Sequence, residues 1–261
     1  MNQSLQEKEI KSFSNLWKGG YFEGDPLNPI ATSGYAQFGF ISTLYATYLL
    51  CIKPYINSES VALEIGPGRG AWTKAMLPAK EIYALDALSA EHNGFFEYLP
   101  PSEHVKYFQV DDFSCKMLPE NHFSYMFSFG CLCHVSFEGI TQYAVNIYPK
   151  LKSGAHCFWL VADYEKYNYA VNNLHLFNFE QTVIPKRRRY FLFRLLLSLY
   201  TKRKRHKVLS MDEDNQPSSS GRWYNAGVLR TCAMLEKIGY KIIEPDVEVN
   251  MRDPIIHFIK S

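Results

Sequence analysis

Nowhere in the chain do about eighteen apolar residues follow one another, the minimum for a helix that spans a bilayer. A transmembrane anchor is therefore not expected. No segment repeats, which sets aside solenoid and propeller architectures. No secretory signal peptide precedes the six cysteines, Cys51, Cys115, Cys131, Cys133, Cys157 and Cys232, which are scattered over apolar segments. The expectation is reduced, buried thiols in a cytoplasmic protein. Acidic residues are missing from 186–207, where ten Lys or Arg are concentrated. The formal charge of +2 thus conceals an acidic body, since the remainder carries 18 basic against 26 acidic residues, a balance of −8. Anion binding is expected to be local, and no RNA-binding motif accompanies the basic patch.

What is present suits one large domain. The 261 residues are 47% hydrophobic and 15% aromatic, enough for a packed core and an aromatic-lined pocket. Residues 1–34 carry turn signals at Lys18-Gly19-Gly20 and Gly24-Asp25-Pro26 and read as an N-terminal cap; the rest, 35–261, reads as the main domain. Phe38, Ile41, Leu44, Tyr45, Tyr48, Leu49 and Ile52 recur at helical spacing up to Pro54. Strand and helix signals then alternate: strand 61–65, helix 71–78, strand 81–85, helix 89–98, strands 104–110 and 123–129, helix 136–150, strand 155–162. This is the βαβ rhythm of an α/β, doubly wound, mostly parallel sheet. After an insertion at 164–222 come a helix over 223–238, stopped by Gly239, and two strand-like runs, 240–249 and 254–260. The turn Asn250-Met251-Arg252-Asp253 joins those runs into a closing antiparallel hairpin.

The segment VALEIGPGRG, residues 61–70, holds the most specific chemistry. A β-rich run delivers Glu64 to a strand end, and Gly66, Gly68 and Gly70 let the backbone turn tightly enough for a ligand to approach it. Glycines at this spacing also seat the pyrophosphate of a dinucleotide on a helix N-terminus. Glu64 argues against that, because a carboxylate repels pyrophosphate but pairs with an ammonium. Asp86, 22 residues beyond Glu64 and at the end of the next strand, can accept from both hydroxyls of a ribose. Asp112 can accept from an adenine amino group while the Phe113 ring covers the base.

ExGxGxG at 64–70 with acids at 86 and 112 resembles the class I S-adenosylmethionine-dependent methyltransferases over residues 35–162 and the terminal hairpin. The resemblance implies a seven-stranded sheet whose last strand runs antiparallel and inserts beside the fifth. It also implies S-adenosyl-L-methionine as cofactor and an acceptor held above the carboxyl ends of the strands.

Catalytic groups are therefore sought in the loops after the fourth and fifth strands. Gly130-Cys131-Leu132-Cys133-His134 follows the fourth, placing Gly130 beside the cofactor and His134 as a base for an acceptor hydroxyl, or as a mere support of the loop. No second spaced pair completes a zinc site with Cys131, Cys133 and His134, so no metal is expected. Asp163 after the fifth strand either orients the acceptor or caps the next helix. Tyr21 from the N-terminal cap and Arg222, Trp223 and Tyr224 from the late segment offer stacking rings and a guanidinium for a sugar, base or anion.

Within the insertion, 186–207 projects Arg187, Arg194, Ser198, Lys202 and Arg205 on one helical stripe and Phe191, Leu192, Leu195, Leu196 and Leu199 on another. Contact with the inner membrane surface and self-packing, including a homodimer, are equally good readings of that pattern, with binding of a polyanion a lesser third. The expected activity is methyl transfer to a hydroxyl, with a sugar of a surface polysaccharide or its precursor as acceptor. Another small metabolite, a lipid or an amine is the enzymatic alternative, and a non-catalytic module that binds a membrane or partner is the other.

Overall fold

A computed structural model describes residues 20–30, 42–100, 102–173 and 223–261. The basic segment 186–207, Arg222 and most of the N-terminal cap lie outside the described residues.

The first helix, α1 (Thr43–Thr47), runs on as a π-helical turn, Tyr48–Ile52. There follow β1 (Val61–Ile65), α2 (Ala71–Ala75), β2 (Glu81–Asp86), α3 (Ala90–Asn93), α4 (Phe95–Tyr98), β3 (Val105–Gln109) and β4 (Phe123–Ser128). The chain continues through α5 (Phe137–Ile147), β5 (Leu151–Leu160), α6 (Tyr164–Asn173), α7 (Val228–Ile238), β6 (Tyr240–Glu244) and β7 (Ile255–Lys260). Seven strands pair in the order β3-β2-β1-β4-β5-β7-β6. All pairs up to β4–β5 are parallel, and β7 is antiparallel to both β5 and β6. The doubly wound sheet with an antiparallel closing hairpin is thus observed as expected.

Strand β1 is buried along its whole length and divides its side chains by parity. Val61, Leu63 and Ile65 join the core formed with Ile140, Ala144 and Leu235 on one face. Ala62 joins the opposite core with Ala75, Met76, Trp72 and Ile52. Even-numbered Glu64 consequently shares the face covered by α2.

Several boundaries differ from the sequence expectation. The helix at 89–98 is two short helices, because Gly94 adopts φ 60° between them. Residues 223–227 are not helical: Tyr224 N–H donates to the Cys133 carbonyl at 2.8 Å and Ala226 N–H to that of Ala162 at 3.0 Å, so α7 begins only after Gly227. The closing connection is longer than a four-residue turn, spanning 245–254, where Asp246 Oδ1 accepts from the N–H groups of Glu248 and Ile255. Side-chain acceptors there compete with ladder pairing and shorten both strands. Among the described residues no helix is long and apolar enough to cross a membrane.

Candidate functional site

The chain reverses its direction of winding between β1 and β4, and a crevice opens at the carboxyl ends of strands at such a point. A cavity of about 670 Å³, open mouth included, lies there. Its walls include Gly66 and Gly68 of the turn, Asp86 and Leu88 after β2, Asn93, Phe113, Gly130, His134, Tyr143 and Tyr21.

The turn is shaped by two close approaches. A Cβ on Gly66, at φ 72°, would stand 2.3 Å from Cys131 Cβ, so the loops after β1 and β4 interlock only around a hydrogen. A Cβ on Gly68, at φ 51°, would stand 2.9 Å from the Tyr21 carbonyl oxygen. Gly66 N–H donates to the Leu85 carbonyl at 2.8 Å, and Gly68 N–H donates to Asp86 Oδ2 at 3.1 Å. Asp86 Oδ1 accepts from Leu88 N–H at 2.9 Å. The carboxylate is thereby fixed at the strand end facing the cavity; burial raises its pKa against these hydrogen bonds.

Phe113 is buried against Tyr143, ring centroids 4.8 Å apart, and the two aromatics stand on one cavity wall. Gly139, in the first turn of α5, lets that helix reach them: a Cβ would stand 2.8 Å from the Phe113 ring. Asp112 lies outside the wall, its Oδ1 accepting from Ser114 N–H at 2.8 Å in a local turn that lowers its pKa against the burial.

Glu64 also stays behind the wall. Only 1% exposed, it accepts a 2.5 Å hydrogen bond from Thr73 Oγ1 of α2. Burial, against the pull of Thr73 and with a smaller push from the nearby Asp86, raises its pKa to about 8. Glu64 therefore braces the turn from beneath and carries a proton near neutral pH. Gly70 caps α2 at φ 94° without facing the cavity.

His134 ends a 3-10 turn over Leu132–His134 and lines the cavity with Gly130. Burial pushes the Cys131 and Cys133 thiols well above their ordinary range, so both stay protonated. Tyr21 crosses from the glycine turn, where its carbonyl accepts from Arg69 N–H at 3.2 Å, to Gly130, whose Cβ would stand 3.2 Å from its ring.

Asp163 does not reach the cavity. Its Oδ1 accepts from Lys166 N–H at 2.9 Å and its Oδ2 from Val228 N–H at 2.8 Å, so one carboxylate caps both α6 and α7. Trp223 and Tyr224 also lie off the wall. Tyr224 is buried, and Trp223 packs on Tyr164 and Tyr167 with centroids 5.3 and 5.1 Å away.

Sequence reasoning missed Asn93, whose Nδ2 donates to Tyr107 Oη at 2.8 Å while Tyr107 in turn donates to the Leu88 carbonyl at 2.7 Å. The Asn93-Gly94 pair, a turn signal inside an apparently helical stretch, pointed to it.

No protein-family model matches the chain, and no curated protein matches it. Solved structures do. A protein from Listeria monocytogenes assigned to the S-adenosylmethionine-dependent methyltransferases is 15% identical, with 83% of this chain and 97% of that one covered at a TM-score of 0.54. The YcgJ protein of Bacillus subtilis is 14% identical, with 83% and 98% covered at a TM-score of 0.51. The likeness is one of fold.

Proposed function

We propose that this chain transfers the methyl group of S-adenosyl-L-methionine to an acceptor hydroxyl, most specifically that of a sugar in a surface polysaccharide or its precursor. The observation that carries the reading is one cavity that joins Gly66 and Gly68, Asp86, Phe113 with Tyr143, and His134. These are partners that a methionine end, a ribose, an adenine and a reacting centre each require. The likeness in fold to a methyltransferase supports the same reading.

The cofactor supplies an activated methyl on a sulfonium. The chain's own residues bind and align. Asp86 accepts from the ribose hydroxyls, Phe113 and Tyr143 flank the base, and Asp112, next in the chain, accepts from its amino group. Gly66 and Gly68 leave the backbone open to the methionine end. Glu64 acts through its charge: a nearby ammonium favours the ionised carboxylate, so binding expels its proton. His134, on the wall beside Gly130, removes the acceptor proton as the in-line displacement proceeds. Asp163 is left with the two helix caps.

Calorimetric titration with S-adenosylhomocysteine tests the cofactor half, and an absence of binding would overturn it. For the base, His134→Gln is expected to retain that binding and lose about 100-fold or more in turnover. Unimpaired turnover removes His134 from the mechanism.

A further inference from the structure

Several buried phenols of this fold give their protons to the backbone. Tyr125 of β4 donates to the Cys51 carbonyl at 2.7 Å, and Tyr240, at the start of β6, donates to that of Ala144 at 2.8 Å. Tyr164 donates to the carbonyl of Trp223. Each of these hydroxyls is buried with its hydrogen bond made. Tyr143 of α5 does otherwise. It is only 6% exposed, yet its hydroxyl has no hydrogen-bond partner among the described residues. Nor is the oxygen sealed in the core, because the residue lines the cavity. Burial holds this phenol well above its ordinary pKa, so near neutral pH it keeps its proton and is a donor.

The helix fixes where that donor stands. Gly139, Tyr143 and Asn146 recur on α5 at spacings of four and three residues, hence on one face. That face meets the segment after β3. Gly139 admits the Phe113 ring, Tyr143 packs on it with 4.8 Å between centroids and 57° between planes, and Asn146 Nδ2 donates to the Phe113 carbonyl at 2.8 Å. With the ring held, the direction of the hydroxyl is held too, because its oxygen lies on the ring axis. Ile65, Leu85 and Val135 belong to the same apolar cluster and also line the cavity. In such surroundings a ligand atom that accepts from the hydroxyl completes a hydrogen bond, whereas one that cannot accept displaces water and leaves the donor unpaired. An adenine laid on Phe113 presents ring nitrogens that accept and one amino group that donates. Asp112, an acceptor next to Phe113 in the chain, suits the amino group; the protonated phenol suits a ring nitrogen.

We propose that the Tyr143 hydroxyl donates a hydrogen bond to a ring nitrogen of the cofactor's adenine and selects for a base that accepts there. The assignment rests on the cofactor reading above and deepens it. The Phe113 face gives affinity for any flat aromatic base, and Tyr143 distinguishes among such bases. Tyr143 is thus a specificity-determining residue with no part in the methyl transfer itself.

The test is calorimetric titration of the full chain and of its Tyr143→Phe variant, which keeps the ring on Phe113 and removes only the oxygen. The ligands are S-adenosylhomocysteine, its 1-deaza, 3-deaza and 7-deaza forms, in each of which a C–H replaces one ring nitrogen, and the form without the 6-amino group. S-adenosylhomocysteine should bind the variant about fivefold more weakly than the wild type. One deaza form should bind the wild type more weakly by a similar factor, and that form should bind both proteins equally, since its half of the bond is already missing. Loss of the amino group should cost the same in both proteins. Equal binding of S-adenosylhomocysteine by the two proteins, a wild type indifferent to all three deaza forms, or a variant whose loss couples to the amino group would each overturn the assignment. Indifference to the deaza forms is read on the wild type alone, so it decides even if Tyr143→Phe fails to fold. Those outcomes leave the cofactor reading standing, whereas a wild type that does not bind S-adenosylhomocysteine would overturn that reading and the assignment with it.

Discussion

Replacing Glu64 by Gln is expected to stabilise the ligand-free protein at neutral pH, and by an amount that grows with pH. The carboxyl is buried and its pKa stands at about 8 in the fold, against an ordinary value of 4.5. Between those two values the folded protein keeps a proton that the unfolded chain has released. Each pH unit in that window therefore costs the fold about 1.4 kcal/mol, and the cost at pH 7 is about 3 kcal/mol. Gln has the same shape, can accept from Thr73 and never ionises, so it removes this cost. Urea unfolding of both proteins at pH 5, 6, 7 and 8.5 measures it. The difference in stability should be below about 1 kcal/mol at pH 5, rise through pH 6 and 7, and level off above 8. The same variant should bind S-adenosylhomocysteine more weakly, since the ammonium loses the charge that favours it. A difference independent of pH, or a destabilisation of similar size throughout, would refute the reasoning, because either would mean that Glu64 is ionised in the fold at all these pH values.

Gly66→Ala should cost about 2 kcal/mol or more in thermal unfolding and abolish S-adenosylhomocysteine binding, since the new methyl would stand 2.3 Å from Cys131 Cβ. Asp86→Asn is expected to weaken S-adenosylhomocysteine about 10- to 100-fold in calorimetry, with a smaller loss for a ligand that lacks the ribose, such as methionine. Asp163→Ala should lower the unfolding temperature by loss of two helix caps, about 1–2 kcal/mol each, while kcat falls far less than in His134→Gln. At acid pH, the buried His257, hydrogen-bonded to His156 at 2.9 Å, has its pKa pushed down to about 4 by burial and by that neighbour. The unfolded chain takes up this proton first, so stability should fall as pH drops from about 6.5 towards 4. His257→Phe, stacked on Phe158 as the imidazole is, should flatten that limb in unfolding measured between pH 4 and 7.

The glycine turn, the alternation of strands and helices, and the acid at the end of β2 were legible because each is a local property. Period-two and helical patterning mark which faces are buried, and only glycine tolerates the backbone of Gly66 and Gly68. That Phe113 and His134 line the cavity was legible for the same reason, since both lie in loops after strands whose carboxyl ends a doubly wound sheet gathers at one edge. What the sequence by itself determined is therefore the sheet, its winding and the strand ends that meet.

Contacts between distant segments were decided only by the tertiary structure. Glu64 lies behind the cavity because strand parity turns it towards α2, where Thr73 takes its oxygen. Asp163 became a double cap because α7 starts beside it, 65 residues along the chain. In the sequence Trp223 suits either stacking on an acceptor or core packing; tertiary packing gives it Tyr164, Tyr167 and Asp253. Arg252 was read as one residue of a tight turn and became an oriented guanidinium only because a buried carboxylate and an indole converge on it. Periodicity reports which way a side chain leaves its own strand or helix, whereas partnership depends on which other segment arrives there.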